Sequence, residues 1–150
     1  MNKIPARITK IIAHNACAMI QMECELGLLC SVVINEGEFS IHDNVLATFK
    51  ENEVLILNAH SPFPFGEINT FRAALHSQTC DGIFTRLKLE PHIIESKIQN
   101  ITSHNPKSQN IESSTQYLNI YALVPSSKPL VDSQCLWHIP PVHIVLERIG

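Results

Sequence analysis

Histidine and cysteine are the side chains of this sequence with the most coordination chemistry to offer. They crowd closest at Cys135-x-x-His138, with His143 following. A structural zinc ion takes four ligands and usually shows itself as two paired spacings. No second pair accompanies Cys135 and His138, so the eight histidines read as dispersed surface residues or parts of an interface, and no metal is expected. Covalent catalysis is equally short of parts: the chain has no Gly-x-Ser-x-Gly elbow, no Walker lysine loop and no catalytic-cysteine signature. Glu23 and Glu25 are near neighbours, but they alternate with Met22, Cys24 and Leu26, which puts them on the wet face of a strand. Asn100-Ile101-Thr102 fits a glycosylation sequon that, without a secretory signal, reads as chance. What remains is binding without catalysis.

Bulk composition narrows the partners. The formal charge is −3 and the basic residues are scattered singly, so the electrostatic stripe that nucleic acid requires is missing. No apolar run approaches the roughly 18 residues of a membrane span, and Met1 to Arg7 lacks the apolar stretch of a secretory signal. The five cysteines (17, 24, 30, 80 and 135) are odd in number, and three lie in apolar runs. They read as reduced thiols in a cytoplasmic protein rather than a disulfide frame.

The elements that must carry any site come from an internal repeat. Asn2 to Ile8 lies over Asn69 to Leu75. After a turn that reads as two residues shorter in the second copy, Met22 lies over Leu87, Cys24 over Leu89, Leu28-Leu29 over Ile93-Ile94, Ser31 over Ser96 and Val33 over Ile98. Val45 to Phe49 then aligns with Ile120 to Val124, and Leu55-Ile56 with Leu130-Val131. Within each copy the period is two. Ile20, Met22, Cys24 and Leu26 alternate with Gln21, Glu23 and Glu25, as Ile83, Thr85, Leu87 and Leu89 do with Phe84, Arg86 and Lys88. That alternation predicts half-buried strands. About five short strands per copy suit a small closed barrel, which hides its edges.

The expected organisation is a first barrel over 1–60, a linker over 61–66, a second barrel over 67–132 and a C-terminal extension over 133–150. The linker Ser61-Pro62-Phe63-Pro64-Phe65-Gly66 is stiffened by two prolines. Residues 103–116 are polar and read as a surface loop. In the extension, Val142, Ile144 and Leu146 alternate with His143, Val145 and Glu147, predicting an added strand that covers an open edge or exchanges with another subunit.

These stretches resemble the TOBE/Mop family of molybdate-binding domains. The residues that carry the resemblance are Glu25-Leu26-Gly27, the run Val45-Leu46-Ala47-Thr48-Phe49-Lys50-Glu51-Asn52-Glu53-Val54, and in the second copy Gly66 to Ala73 and Tyr121 to Ser127. The likeness spans residues 2–131 in a tandem arrangement and implies an all-β chain of two OB-like five-stranded barrels. It further implies that molybdate or tungstate is bound at interfaces between units, for storage or sensing linked to molybdenum uptake. A tetrahedral dianion needs converging N–H groups, hydroxyls and a cation. The family pattern assigns these roles to Lys50 as cation, with Asn2, Asn69, Ser126, Ser127 and Thr102 as neutral donors.

The sequence also departs from that pattern. The family's arginine before asparagine is Met1 in one copy and Ile68 in the other. Its Ile-Thr threonine is Ile34 or Gln99, and its Lys-Ala-Ser step is Lys50-Glu51-Asn52 or Pro125-Ser126-Ser127. Glu51 would repel a dianion unless it points away. These changes leave open a second reading, a ligand-less interaction module that docks on a molybdate transporter or regulator. Under either reading the family's habit of pairing chains makes a homo-oligomer the expected state.

Overall fold

A computed structural model describes residues 1–34, 37–60, 62, 66–93, 118–126 and 133–150. Among the described residues ten strands run β1 (Asn2–His14), β2 (Cys17–Cys24), β3 (Gly27–Ile34), β4 (Asn44–Phe49), β5 (Leu55–Asn58), β6 (Thr70–Asp81), β7 (Phe84–Pro91), β8 (Ile120–Pro125), β9 (Gln134–His138) and β10 (Val145–Arg148). Two 3-10 turns, Glu51–Glu53 and Pro141–His143, link β4 to β5 and β9 to β10. The all-β expectation holds, as does the alternation within the strands, except that Ile83, counted with the inward residues, lies in the turn before β7 and is 75% exposed. Ala18, Ile20, Met22 and Cys24 of β2 point inward, and so do Thr85, Leu87, Leu89 and Pro91 of β7.

The strands form two five-stranded antiparallel sheets ordered β10-β4-β1-β2-β3 and β5-β9-β6-β7-β8. Each curls so that its outer strands approach one another, β3 with β10 and β5 with β8, giving two OB-like barrels. Each barrel borrows its fifth strand from the other half of the chain. β5 pairs with β9, Leu55 opposite His138, and β10 pairs with β4, Val145 opposite Thr48. The exchange is reciprocal, and one continuous core runs through both halves, including Ile4, Ile8, Met22 and Phe49 with Leu87, Leu89, Ile120 and Trp137.

The registers correct the sequence alignment. Ile8 opposite Met22 recurs as Leu75 opposite Leu89, and His14 opposite Cys17 as Asp81 opposite Phe84, a constant displacement of 67 residues with turns of equal length. Even the irregularity after Ile8 recurs after Leu75. Met22 therefore matches Leu89, one full pleat beyond Leu87. A two-residue slip preserves every inward and outward assignment, so the apolar pattern could not detect it. The partner of β7 is β8, which makes Ile120–Pro125 the counterpart of β3, not of Val45–Phe49. Residues 94–98, where that counterpart was expected, lie outside the described residues, as do Leu130 and Val131.

The counterpart of β4 is β9, since β4 flanks β1 as β9 flanks β6. Residues 133–150 are accordingly more than an extension. They supply a central strand of the second barrel and the edge strand of the first. The expected added strand exists as β10, and the edge it covers belongs to the other half of its own chain.

Candidate functional site

Lys50 stands where the chain leaves one barrel for the other. Phe49 before it is 1% exposed and Val54 after it 3%. These two buried anchors leave four residues to turn the corner, and the 3-10 turn does so. Glu53 N–H donates to Lys50 O at 3.2 Å and Val54 N–H to Glu51 O at 3.4 Å, while Lys50 N–H donates to the Glu53 carboxylate at 3.4 Å. The main chain of Lys50 is thus pinned from two sides and its side chain is exposed. Among the described residues its ammonium enters no ion pair.

The two carboxylates beside Lys50 are both engaged elsewhere. Glu51 accepts from Arg86 of β7, from Nε at 2.6 Å and Nη2 at 3.3 Å, and the guanidinium lies 4.0 Å from the centre of the Tyr121 ring. The Arg86 hydrogen bond holds the Glu51 carboxyl below the usual carboxylate range. Glu53 lies 3.2 Å from His143 Nδ1 of the other 3-10 turn. The repulsion that Glu51 threatened is therefore relieved, because its charge is turned onto Arg86. Beside this pair lies an open depression of about 760 Å³ lined by Glu51, Asn52, Phe84, Arg86, Leu123 and Pro125.

The two candidate asparagines have a different occupation. Asn69 is 1% exposed, and its amide closes a two-bond ring with the main chain of Cys30 on β3. Cys30 N–H donates to Oδ1 at 2.8 Å and Nδ2 donates to Cys30 O at 2.8 Å; Nδ2 also donates to Ile139 O at 2.9 Å. Both amide hydrogens are spent. Asn2, 67 residues earlier, does the same to β8: Tyr121 N–H donates to its Oδ1 at 2.8 Å, and its Nδ2 donates to Tyr121 O at 2.9 Å. Each amide acts as one extra ladder residue on a strand of the other half of the chain. Neither residue stands as a free side-chain donor to an anion: Asn69 has both amide hydrogens on main chain, and Asn2 has its Oδ1 and one Nδ2 bond on Tyr121, so both serve as ties between barrels.

Ser126 follows Pro125, which lines the depression. Its hydroxyl lies 3.0 Å from Thr85 Oγ1 and 3.4 Å from Cys80 Sγ, and its N–H donates to Ile83 O at 2.9 Å. The alignment placed Ser126 at the position equivalent to the Lys50 step. With β9 as the counterpart of β4, that position is Pro140-Pro141-Val142 instead. Ser127 and Thr102 lie outside the described residues.

The cysteine–histidine cluster separates on the strand. Cys135 is 1% exposed and faces the core, whereas His138, three residues on, takes the opposite face of β9. His138 Nδ1 lies 2.9 Å from Thr70 Oγ1. Burial pushes its pKa down, against bonds to the Ile68 and Asn69 main chain that favour the charged form. Residues on opposite faces of one strand cannot share an ion.

Sequence reasoning missed Arg86 and the Glu53–His143 contact. Arg86 reads only as an outward residue of its strand, and nothing local links it to a glutamate 35 residues earlier.

No family model matches the chain, and no curated protein matches it in sequence. Among solved structures, the cytoplasmic molybdate-binding protein ModG, in a form with molybdate bound, superposes with a TM-score of 0.72 over 97% of this chain and 94% of its own. The fold is molbindin-like. The two sequences share 13% identity, so the resemblance lies in how the barrels are built and joined. No helix among the described residues is long and apolar enough to cross a membrane.

Proposed function

We propose that this molbindin-like chain binds a tetrahedral oxyanion of the molybdate and tungstate class, without catalysis, as a cytoplasmic store or sensor tied to molybdenum uptake. The observation that carries the reading is an end-to-end likeness to a molybdate-binding protein combined with Lys50, an exposed lysine whose two neighbouring carboxylates are drawn off by Arg86 and His143. Neutral donors come from exposed main chain and from hydroxyls, with Ser126, Ser127 and Thr102 as candidates. Chains associate in this reading, and light scattering should report at least a dimer.

Calorimetric titration with molybdate, tungstate and sulfate tests the proposal. Binding of the first two is expected, and Lys50→Ala should remove a charge-assisted hydrogen bond of roughly 1.5–3 kcal/mol, about a tenfold to hundredfold loss of affinity. Unfolding should shift by less than about 0.5 kcal/mol, since an exposed strand-end lysine buries little. A parent protein that ignores all three anions at millimolar concentration would sink the proposal. The second reading, a ligand-less module docking on a molybdate transporter or regulator, draws support from Asn69, whose two amide hydrogens are spent on main chain.

A further inference from the structure

The reciprocal strand exchange defines which residues are equivalent in the two halves, and the equivalent corners differ in chemistry. Asn2 opposite Phe49, and Asn69 joined to Ile139 by a 3.1 Å main-chain bond, set β4 and its turn over β9 and its turn at a displacement of 90 residues. Lys50, Glu51, Asn52 and Glu53 then correspond to Pro140, Pro141, Val142 and His143. Arg86, which neutralises Glu51, corresponds through the 67-residue displacement to Met19. One corner carries a lysine, an arginine and polar neighbours. Its counterpart carries two prolines, a valine that is 66% exposed and a methionine that is 37% exposed.

Resting on the anion-binding reading above, we infer that only the corner at Lys50 can hold the anion, so a chain takes up no more than one dianion despite having two equivalent units. A doubly charged oxyanion gives up water only where a cation and several donors replace it. Prolines 140 and 141 have no N–H to donate. The titratable group of the second corner, His143, is already engaged with the Glu53 carboxylate of the first at 3.2 Å, so it is not a free cation for an anion there. The second corner is an apolar surface instead.

The test is the stoichiometry of molybdate titration into the full chain, with Lys50→Gln alongside and circular dichroism to confirm that the variant is folded. Saturation at one molybdate per chain or fewer, with at least a tenfold loss of affinity in Lys50→Gln, supports the inference. Two molybdates per chain would overturn it while leaving the anion-binding reading intact. One undiminished site in Lys50→Gln would also overturn it, by moving the site away from this corner. No binding by the parent protein would overturn both the inference and the reading beneath it.

Discussion

Asn69→Ala removes a buried amide that ties the two barrels together, and its cost can be worked from the contacts. Cys30 loses the partners of its N–H and its C=O, both at 2.8 Å, and Ile139 O loses a donor at 2.9 Å. Asn69 is 1% exposed, so water does not replace them in the folded state. An unsatisfied buried main-chain donor costs about 1–3 kcal/mol. Asn69 also sits at φ +52°, in the left-handed region that asparagine tolerates and alanine resists by roughly 1–2 kcal/mol. The sum is roughly 2–5 kcal/mol, a large share of the roughly 5–15 kcal/mol that holds a domain folded. Asn69→Gly loses the same hydrogen bonds but not the left-handed compatibility, and should fall short of the alanine change by roughly 1–2 kcal/mol. Urea unfolding followed by fluorescence of the single tryptophan measures both variants. A loss below about 1 kcal/mol in Asn69→Ala would refute the tie. So would an anion affinity that collapses while stability stays constant, because it would return Asn69 to the ligand role.

Three further outcomes are expected. The folded-state pKa of Glu51 is lowered, chiefly by Arg86, so its stabilising contribution is present above the ordinary carboxylate range and is lost as pH falls through the lowered value. The stability difference between the parent and Glu51→Gln should be visible at pH 7 and vanish in acid, and a difference that grows in acid would contradict the pairing. Trp137 is fully buried between Phe49 and Phe71, with ring centroids 6.1 Å and 4.8 Å away, and its Nε1 has no hydrogen-bond partner among the described residues. Trp137→Phe removes an unsatisfied N–H along with some volume and should cost under about 1.5 kcal/mol by thermal unfolding, against about 3–5 kcal/mol for Trp137→Ala. Finally, Cys17 and Cys80 are exposed whereas Cys24, Cys30 and Cys135 are buried, with the Cys135 thiol pushed up to about 11. Native protein at pH 8 should label quickly at two thiols and at all five in urea, and rapid native labelling of Cys135 would show that the core opens.

The reciprocal exchange and the shared core lead to the expectation that the two halves fold as one unit. β5 leaves the first half to complete the second barrel, and β10 returns the loan. Ser31 of β3 donates to Ile144 O at 2.8 Å, and Thr48 of β4 to Val145 O at 3.3 Å, so the borrowed strand β10 and its approach are held by side chains as well as by its ladder. A cut between the halves would leave each barrel without its fifth strand.

The identity of strands as strands, and the face each side chain takes, were determined by the sequence alone. The alternation at Ile20, Met22 and Cys24, and again at Leu87 and Leu89, is local and survives any arrangement of neighbours. The doubling was legible for the same reason, as was Lys50 as a cation at a strand end. Which strand lies beside which was decided only in three dimensions. A side-chain period of two makes a slip of two residues invisible, so Met22 could be set over Leu87 or Leu89 with equal apolar agreement, and only the ladder chose Leu89. The exchange of β5 and β10 depends on contacts between residues about 80 or more positions apart, Leu55 with His138 and Val145 with Thr48, which no local pattern encodes. The site followed the same division: Glu51 looked like an obstacle until the fold brought Arg86 to 2.6 Å from it, and Asn69 looked like a free donor until β3 arrived to occupy its amide.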